Sequence, residues 1–167
     1  MSAVTVIALG SRTACDDEAA LLAAERLGER TGSAARIVLA GRPGPGLVDL
    51  LEPTVPTVVL DVVSAGRPAG EVIRLSLSAV TEAAVAGRPL SSHGFGPAEA
   101  LRLAQSLGRP LPPGVLVGLQ ARSLTPGAGM SPAVREAIPA LVEAAAAAVA
   151  ELSSAAPRED DPCTSPA

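Results

Sequence analysis

The sequence predicts an α/β protein in which helices cover both faces of a largely parallel sheet. Short apolar runs alternate along the chain with Ala- and Leu-rich helical segments, an order typical of three-layer α/β/α sandwiches. The chain has 167 residues, of which 48% are hydrophobic and 1% aromatic. This length suffices for one domain with a single core, built from aliphatic side chains.

Four segments have the short, apolar and β-branched character of buried strands. They are Thr5–Leu9, Arg36–Leu39, Thr57–Val63 and Val115–Gln120. Glu71–Leu75 instead alternates apolar and polar residues, as expected of an exposed strand near the edge of the sheet. Turn-forming glycines and prolines separate these strands from the helices.

Five helices are predicted between and after the strands. The first is opened by Asp16, Asp17 and Glu18 and runs to about Thr31, because acidic residues favour a helix N-terminus. The others are Leu47–Leu51, Ala79–Ala86, Gly96–Leu107 and Ser131–Leu152. Pro132 falls in the first turn of the last helix, where a missing N–H costs little.

Residues 1–152 form the predicted single domain. Residues 153–167 are rich in Ser, Pro, Ala and charge, and we expect a disordered tail there. The Ala-rich stretch Ala144–Ala150 is too short to span a bilayer. We also find no leader pattern and no disulfide framework, so we expect a soluble, cytoplasmic protein without a membrane partner.

The charged residues exclude several classes of function. The net charge is −4, and all 13 basic residues are Arg. Nucleic-acid binders normally carry a basic face, so no nucleic-acid partner is expected. The absence of Lys excludes both a Gly-Lys-Ser/Thr phosphate loop and Schiff-base chemistry.

Three polar residues are candidates for one site. Asp17 follows the first strand, Asp61 lies near the end of the most apolar strand, and His93 lies in a loop before a helix. Sites in open α/β sheets form beyond the carboxyl ends of the strands. Each residue also has a structural alternative: Asp17 could cap a helix, Asp61 could pair with an Arg, and His93 could be an ordinary loop residue.

Taken together, two carboxylates and one imidazole form a plausible ligand set for a divalent transition metal. His93 is the only histidine in the chain. Three protein ligands leave room for water or a substrate, as hydrolysis at a metal requires. The spacing of the three residues along the chain does not by itself identify a metal site.

Four motifs, in order, resemble those of the hydrogenase maturation protease family. In that family a strand and turn precede paired acids, an apolar strand ends in Asp, a Ser/Thr-x-His loop enters a helix, and Ser/Thr-Pro-x-Val begins the last helix. The corresponding segments here are Leu9–Ser11 with Asp16–Ala20, Val58–Val63 with Arg67–Val72, Ser91–Leu101, and Gly118–Gln120 with Gly127–Val134.

The resemblance implies a five-stranded α/β/α sandwich and an endopeptidase. Its substrate would be a nickel-loaded hydrogenase large-subunit precursor, from which it removes a C-terminal peptide. Asp17, Asp61 and His93 match the metal-contacting and catalytic positions, and the nickel arrives with the precursor, so the enzyme need not hold it at rest. Asp16 is a candidate for activating water, as is a water on the metal. A monomer is expected.

The sequence departs from the family pattern at Ser11, Glu18 and Ala20, where Asn and two glycines are usual. Two other functions stay open. The chain could be a diverged, non-catalytic relative that binds a metal or a partner. It could also be a Cys–His hydrolase in which Cys15 is the nucleophile beside His93.

Overall fold

The computed structural model describes residues 4–12, 15–85 and 95–155, and within them five strands form one sheet in the order β2-β1-β3-β5-β4. The strands are β1 (Val4–Leu9), β2 (Ala35–Gly41), β3 (Thr57–Val63), β4 (Val72–Ser76) and β5 (Gly114–Gln120). The first, second, third and fifth strands run parallel, and β4 pairs antiparallel with β5 at one edge. The predicted sheet is confirmed, including its antiparallel edge strand.

Helices cover both faces of this sheet. They are α1 (Ala19–Thr31), α2 (Leu47–Leu50), α3 (Leu77–Val85), α4 (Pro97–Ser106) and α5 (Pro132–Ala155). One face is buried under α1 and α5, and the other under α2, α3 and α4. This arrangement confirms the predicted three-layer sandwich.

The pleat of β3 divides its side chains between the two layers. Val58, Leu60 and Val62 belong to the core under α1 and α5, whereas Val59 belongs to the core under α2, α3 and α4. Since alternate residues of a strand share a face, Asp61 points to the same side as Val59. All seven residues of β3 are buried, as its continuous apolar sequence predicts.

The predicted element boundaries agree closely with the structure, with two informative differences. The acidic residues before α1 form a separate 3-10 turn, Cys15–Glu18, and do not open the α-helix. The last helix continues to Ala155, three residues beyond the predicted end of the domain. Residues 156–167, most of the predicted tail, lie outside the described part of the chain, so the disorder expected there stays a prediction.

α5 is long and apolar enough to cross a membrane, judged by length and composition alone. In this fold it packs on α1 and the sheet, and it buries Val134, Ile138, Leu141 and Val149. Burial in the core accounts for its apolar face.

Candidate functional site

The strand order places a crevice between β1 and β3. From β1 the chain moves outward to β2, then returns past β1 to β3, so the direction of winding changes between these two strands. Ligands of open α/β sheets bind at such a switch point, beyond the carboxyl ends of the strands. Asp17 follows β1 and Asp61 lies near the carboxyl end of β3, so both predicted carboxylates lie at this point.

Asp17 is fully buried, and its carboxylate accepts hydrogen bonds from Arg42. The Nε and Nη2 atoms of Arg42 donate to the same oxygen, Oδ2, over 3.1 and 2.8 Å. Charge-assisted bonds of this kind are stronger than neutral ones and offset part of the cost of burying a carboxylate. Arg42 extends from the loop after β2, so three neighbouring strands supply the site.

Asp61 is 3% exposed, and its pKa is raised to about 8, chiefly by burial. The negative charge of Asp17 contributes to this rise, while the N–H of Val62 and the charge of Arg42 oppose it. Asp61 and Asp17 are therefore close enough to interact, and at neutral pH the Asp61 carboxyl carries its proton. The sequence left open an Arg partner for Asp61; Arg42 pairs with Asp17 instead, and the Asp61 carboxyl accepts the Val62 N–H over 2.9 Å. A divalent cation at this point would favour loss of the Asp61 proton.

Asp16 faces a different part of the molecule from the Asp17–Arg42 pair. It is fully buried and accepts backbone N–H bonds from Arg122, Ser123 and Ser131, and a hydroxyl bond from Ser131. Burial alone would raise the pKa of Asp16, but these hydrogen bonds outweigh it and hold the pKa below its usual value. Asp16 thus fastens the loop 121–131 to the turn that carries Asp17.

A second loop at this edge is held by Gln120, the last residue of β5. Its Oε1 accepts the N–H groups of Ala65 and Arg67, at 2.8 and 3.3 Å, and its Nε2 donates to the carbonyl of Ala121. Gln120 is 5% exposed, so these bonds are shielded from water. The loops after β3 and β5 are therefore anchored by buried polar side chains.

His93 lies outside the described residues, as do Ser91 and Ser92. The described chain resumes at Phe95, and α4 begins at Pro97 and packs in the layer that covers the Asp61 side of the sheet. The side chain of Glu99 accepts the Gly96 N–H at 2.8 Å, which fixes the start of this helix. Among residues 4–12, 15–85 and 95–155, no three His, Cys, Asp or Glu side chains form a potential metal site.

Cys15 is buried at the start of the 3-10 turn, with a φ of +37°. Its thiol contacts the carbonyl oxygen of Thr125, in the loop that Asp16 also holds. A buried thiol in this position acts as a small apolar side chain within the turn.

Two departures from the family pattern have clear places in the fold. Ala20 is fully buried in the first turn of α1, so its methyl group adds to the core. Glu18 lies 3.8 Å from Arg12 at the surface.

Sequence reasoning missed Arg42 and Gln120. Arg42 directly follows β2, and this position predicts that it lies at the carboxyl edge of the sheet. The glycines and prolines around it, however, indicate only a turn. Gln120 ends a correctly predicted strand, yet the two N–H groups that it accepts, those of Ala65 and Arg67, are 55 and 53 residues away in the chain. No local pattern identifies such a pairing.

Comparison with known proteins agrees with this architecture. A family model described as hydrogenase maturation protease matches residues 22–148. Among solved structures, the hydrogenase maturating endopeptidase HybD from E. coli is 23% identical with a TM-score of 0.73, and the match covers 89% of this chain and 93% of that one. The [NiFe] hydrogenase maturation protease HybD from Thermococcus kodakarensis is 24% identical with a TM-score of 0.67, covering 86% and 96%. These structural matches show the shared fold. A search of curated protein sequences gives no match.

Proposed function

Because the chain belongs to the hydrogenase maturation protease family, we propose that it removes the C-terminal peptide of a nickel-loaded hydrogenase large-subunit precursor. Family membership makes the chain an endopeptidase of hydrogenase maturation. The proposal adds the nickel, the precursor's C-terminal peptide as the product, and the recognition of the metal by Asp17, Asp61 and His93. The cytoplasmic location, the monomeric state and the absence of nucleic-acid and membrane partners stay predictions.

The observation that carries this proposal is the buried pair Asp17 and Asp61 at the β1/β3 crevice. Two acids placed together in the protein interior are costly unless a cation compensates them. The raised pKa of Asp61, about 8, expresses this cost. A divalent ion brought by the precursor would stabilise both acids as carboxylates and displace the Asp61 proton.

His93 would complete the ligand set from the loop before α4. In the sequence, only three residues separate His93 from Pro97, where α4 begins. α4 packs in the layer on the Asp61 side of the sheet. Two oxygen ligands and one imidazole suit nickel as well as other late divalent metals.

The reaction is hydrolysis of one peptide bond. Water adds to the carbonyl carbon, the C–N bond breaks, and the leaving amine takes up a proton. A divalent ion beside the carbonyl would polarise it and acidify bound water. Asp16 is the weaker candidate for activating water, because both its oxygens already accept hydrogen bonds and its lowered pKa makes it a poor base.

The test mixes the protein with nickel-loaded and nickel-free large-subunit precursor and follows the precursor mass. We expect loss of the C-terminal peptide only with nickel, and no loss with Asp17→Asn, Asp61→Asn or His93→Ala. Equal cleavage of both precursors would contradict metal recognition. Cys15→Ser tests the Cys–His alternative: we expect cleavage to survive, because the thiol is buried against Thr125.

A non-catalytic role gives a different outcome in the same assay. A partner-binding relative would associate with the nickel-loaded precursor, and the mass of the precursor would not change. We expect the mass to change, because the two carboxylate positions match the family pattern and lie together at the crevice.

A further inference from the structure

Arg42 is a positively charged residue in contact with Asp17, one of the acids proposed to bind the metal. Its guanidinium donates two hydrogen bonds to one oxygen of Asp17, the shorter over 2.8 Å. The Asp17 side chain is fully buried, whereas 47% of the Arg42 side chain is exposed. The ion pair therefore lies where the crevice meets solvent.

The backbone fixes Arg42 in this place. The pairing of β1 with β2 shifts by one residue between Ala8 and Leu9, so that Leu9 pairs with Gly41. The next residue, Gly10, donates its N–H to the Gly41 carbonyl over 2.9 Å. Such an irregularity at the end of a strand redirects the following side chain, and here that side chain is Arg42.

The charge of Arg42 also reaches the second carboxylate. Asp61 lies on β3, the other strand that borders the crevice, and the positive charge of Arg42 acts on it as well. One guanidinium thus acts on both acids that would contact the metal. A divalent ion in the crevice would meet this fixed positive charge at short range, where repulsion between like charges is strong.

We propose that Arg42 is a built-in counter-cation, which pairs with Asp17 in the substrate-free protein and keeps free divalent ions out of the site. A free ion gains only its bonds to the protein ligands, and it must displace the guanidinium of Arg42 to form them. A metal inside the precursor comes with contacts between the precursor peptide and the enzyme, and the binding energy of these contacts offsets the cost of displacing Arg42. Arg42 is therefore a specificity-determining residue that restricts the site to metal presented by the protein substrate. This inference rests on the proposed function.

The experiment measures Ni²⁺ binding to the enzyme alone, by calorimetry or by competition with a coloured chelator. We expect Arg42→Met to bind Ni²⁺ at least about tenfold more tightly than the wild type, since it removes the competing charge. Arg42→Lys keeps the charge and is expected to stay near the wild type. Arg36→Met is the matched control, because Arg36 lies on β2, the strand that precedes Arg42, and faces Glu52 at the surface, 3.6 Å away; we expect no change.

Removing Arg42 leaves the buried Asp17 without this partner and could prevent folding. Arg42→Gln is therefore measured in parallel, because it is neutral but can still donate a hydrogen bond. Folding of each variant is checked by circular dichroism. The inference is supported if either neutral variant binds Ni²⁺ more tightly than the wild type and if the double variant with Asp17→Asn loses this increase in affinity.

Two results would overturn the inference. The first is that folded Arg42→Met and Arg42→Gln bind Ni²⁺ as weakly as the wild type. The second is a gain that persists when Asp17 is replaced by Asn, because the ion would then bind elsewhere. Failure of the proposed function looks different: the Asp17→Asn enzyme with the native Arg42 would still cleave the nickel-loaded precursor.

Discussion

Gly10 and Asp17 are in closer contact than any side chain on residue 10 would permit. A β-carbon on Gly10 would lie 2.0 Å from the carbonyl oxygen of Asp17. Gly10 also has a φ of +136°, a conformation that other residues rarely adopt. Since Gly10 immediately follows β1, this contact sets how closely the turn bearing Asp17 approaches the edge of the sheet.

Replacing Gly10 by Ala is therefore expected to damage both stability and the site. Backbone strain and the steric conflict together should lower the free energy of unfolding by about 2 to 4 kcal/mol. Urea denaturation measures this loss. Cleavage of the precursor should also fall at temperatures where the variant remains folded, because the turn that carries Asp17 must move away from residue 10.

The control for this substitution is Gly46→Ala. Gly46 has an ordinary helical φ of −63°, and a β-carbon there would meet no atom within 4 Å. We expect stability close to that of the wild type. Equal stability of the two variants would contradict the role assigned to Gly10.

Most of the fold was accessible from local sequence. Apart from Asp61, the segment Thr57–Val63 is apolar and β-branched, and it forms β3 with the predicted boundaries. Glu71–Leu75 alternates in polarity and corresponds to the edge strand β4, shifted by one residue. These predictions succeeded because burial on one or both faces of a strand is encoded by neighbouring residues.

The candidate site could be predicted from the sequence only in part. Asp17 and Asp61 were assigned to one edge of the sheet because parallel strands bring their carboxyl ends together. The hydrogen-bonding partners of the adjacent acids Asp16 and Asp17 could not be predicted, since they lie more than 20 residues away, in the loop 121–131 and at Arg42. Long-range hydrogen bonds of loops leave no local signature.

Asp61 should make the stability of the protein depend on pH. Its pKa is about 8 in the folded state, whereas the ordinary value, which applies to the unfolded chain, is 3.8. Between these two pH values the folded chain therefore holds a proton that the unfolded chain has lost. Stability therefore falls as the pH rises from about 4 to about 8. Asp61→Asn removes this effect and should stabilise the protein at pH 8 by a few kcal/mol relative to the wild type.

Urea denaturation of both proteins at several pH values tests this relation. Other groups titrate in both proteins, so the difference between the two curves isolates Asp61. That difference should be small near pH 4 and should grow in favour of Asp61→Asn toward pH 8. Parallel curves across this range would show that Asp61 is not held protonated.

Asp16 should have the opposite dependence on pH. Its folded pKa lies below the ordinary value of 3.8, so its contribution is complete above that value and is lost as the pH falls through the folded pKa. Asp16→Asn places an amide where the carboxylate accepts N–H bonds, and we expect a loss of about 2 to 4 kcal/mol at pH 7. Urea denaturation and proteolysis of the loop 121–131 measure the effect.

The control is Asp49→Asn. Asp49 is 84% exposed and lies 3.4 Å from Arg109, a surface ion pair of little expected energy. Its replacement should leave stability nearly unchanged. If Asp16→Asn were folded and equally stable but inactive, Asp16 would belong to the chemistry and not to the support of the loop.

Gln120 should control the loop 64–70 without affecting the chemistry. Gln120→Met keeps the length of the side chain but removes the acceptor for the N–H groups of Ala65 and Arg67 and the donor to Ala121. Buried groups left without partners cost about 1 to 3 kcal/mol each, unless the loop moves to expose them to water. We therefore expect faster amide hydrogen exchange at Ala65 and Arg67, because the loop opens to recover these bonds.

The same substitution separates binding from catalysis. A loose loop beside the crevice should raise KM for the nickel-loaded precursor more than it lowers kcat, because the hydrogen bonds of Gln120 hold this loop. Gln105→Met is the control, since Gln105 is exposed on α4. Unchanged exchange at Ala65 in Gln120→Met would mean that other contacts hold this loop, and a fall in kcat alone would place Gln120 closer to the reacting groups than its hydrogen bonds indicate.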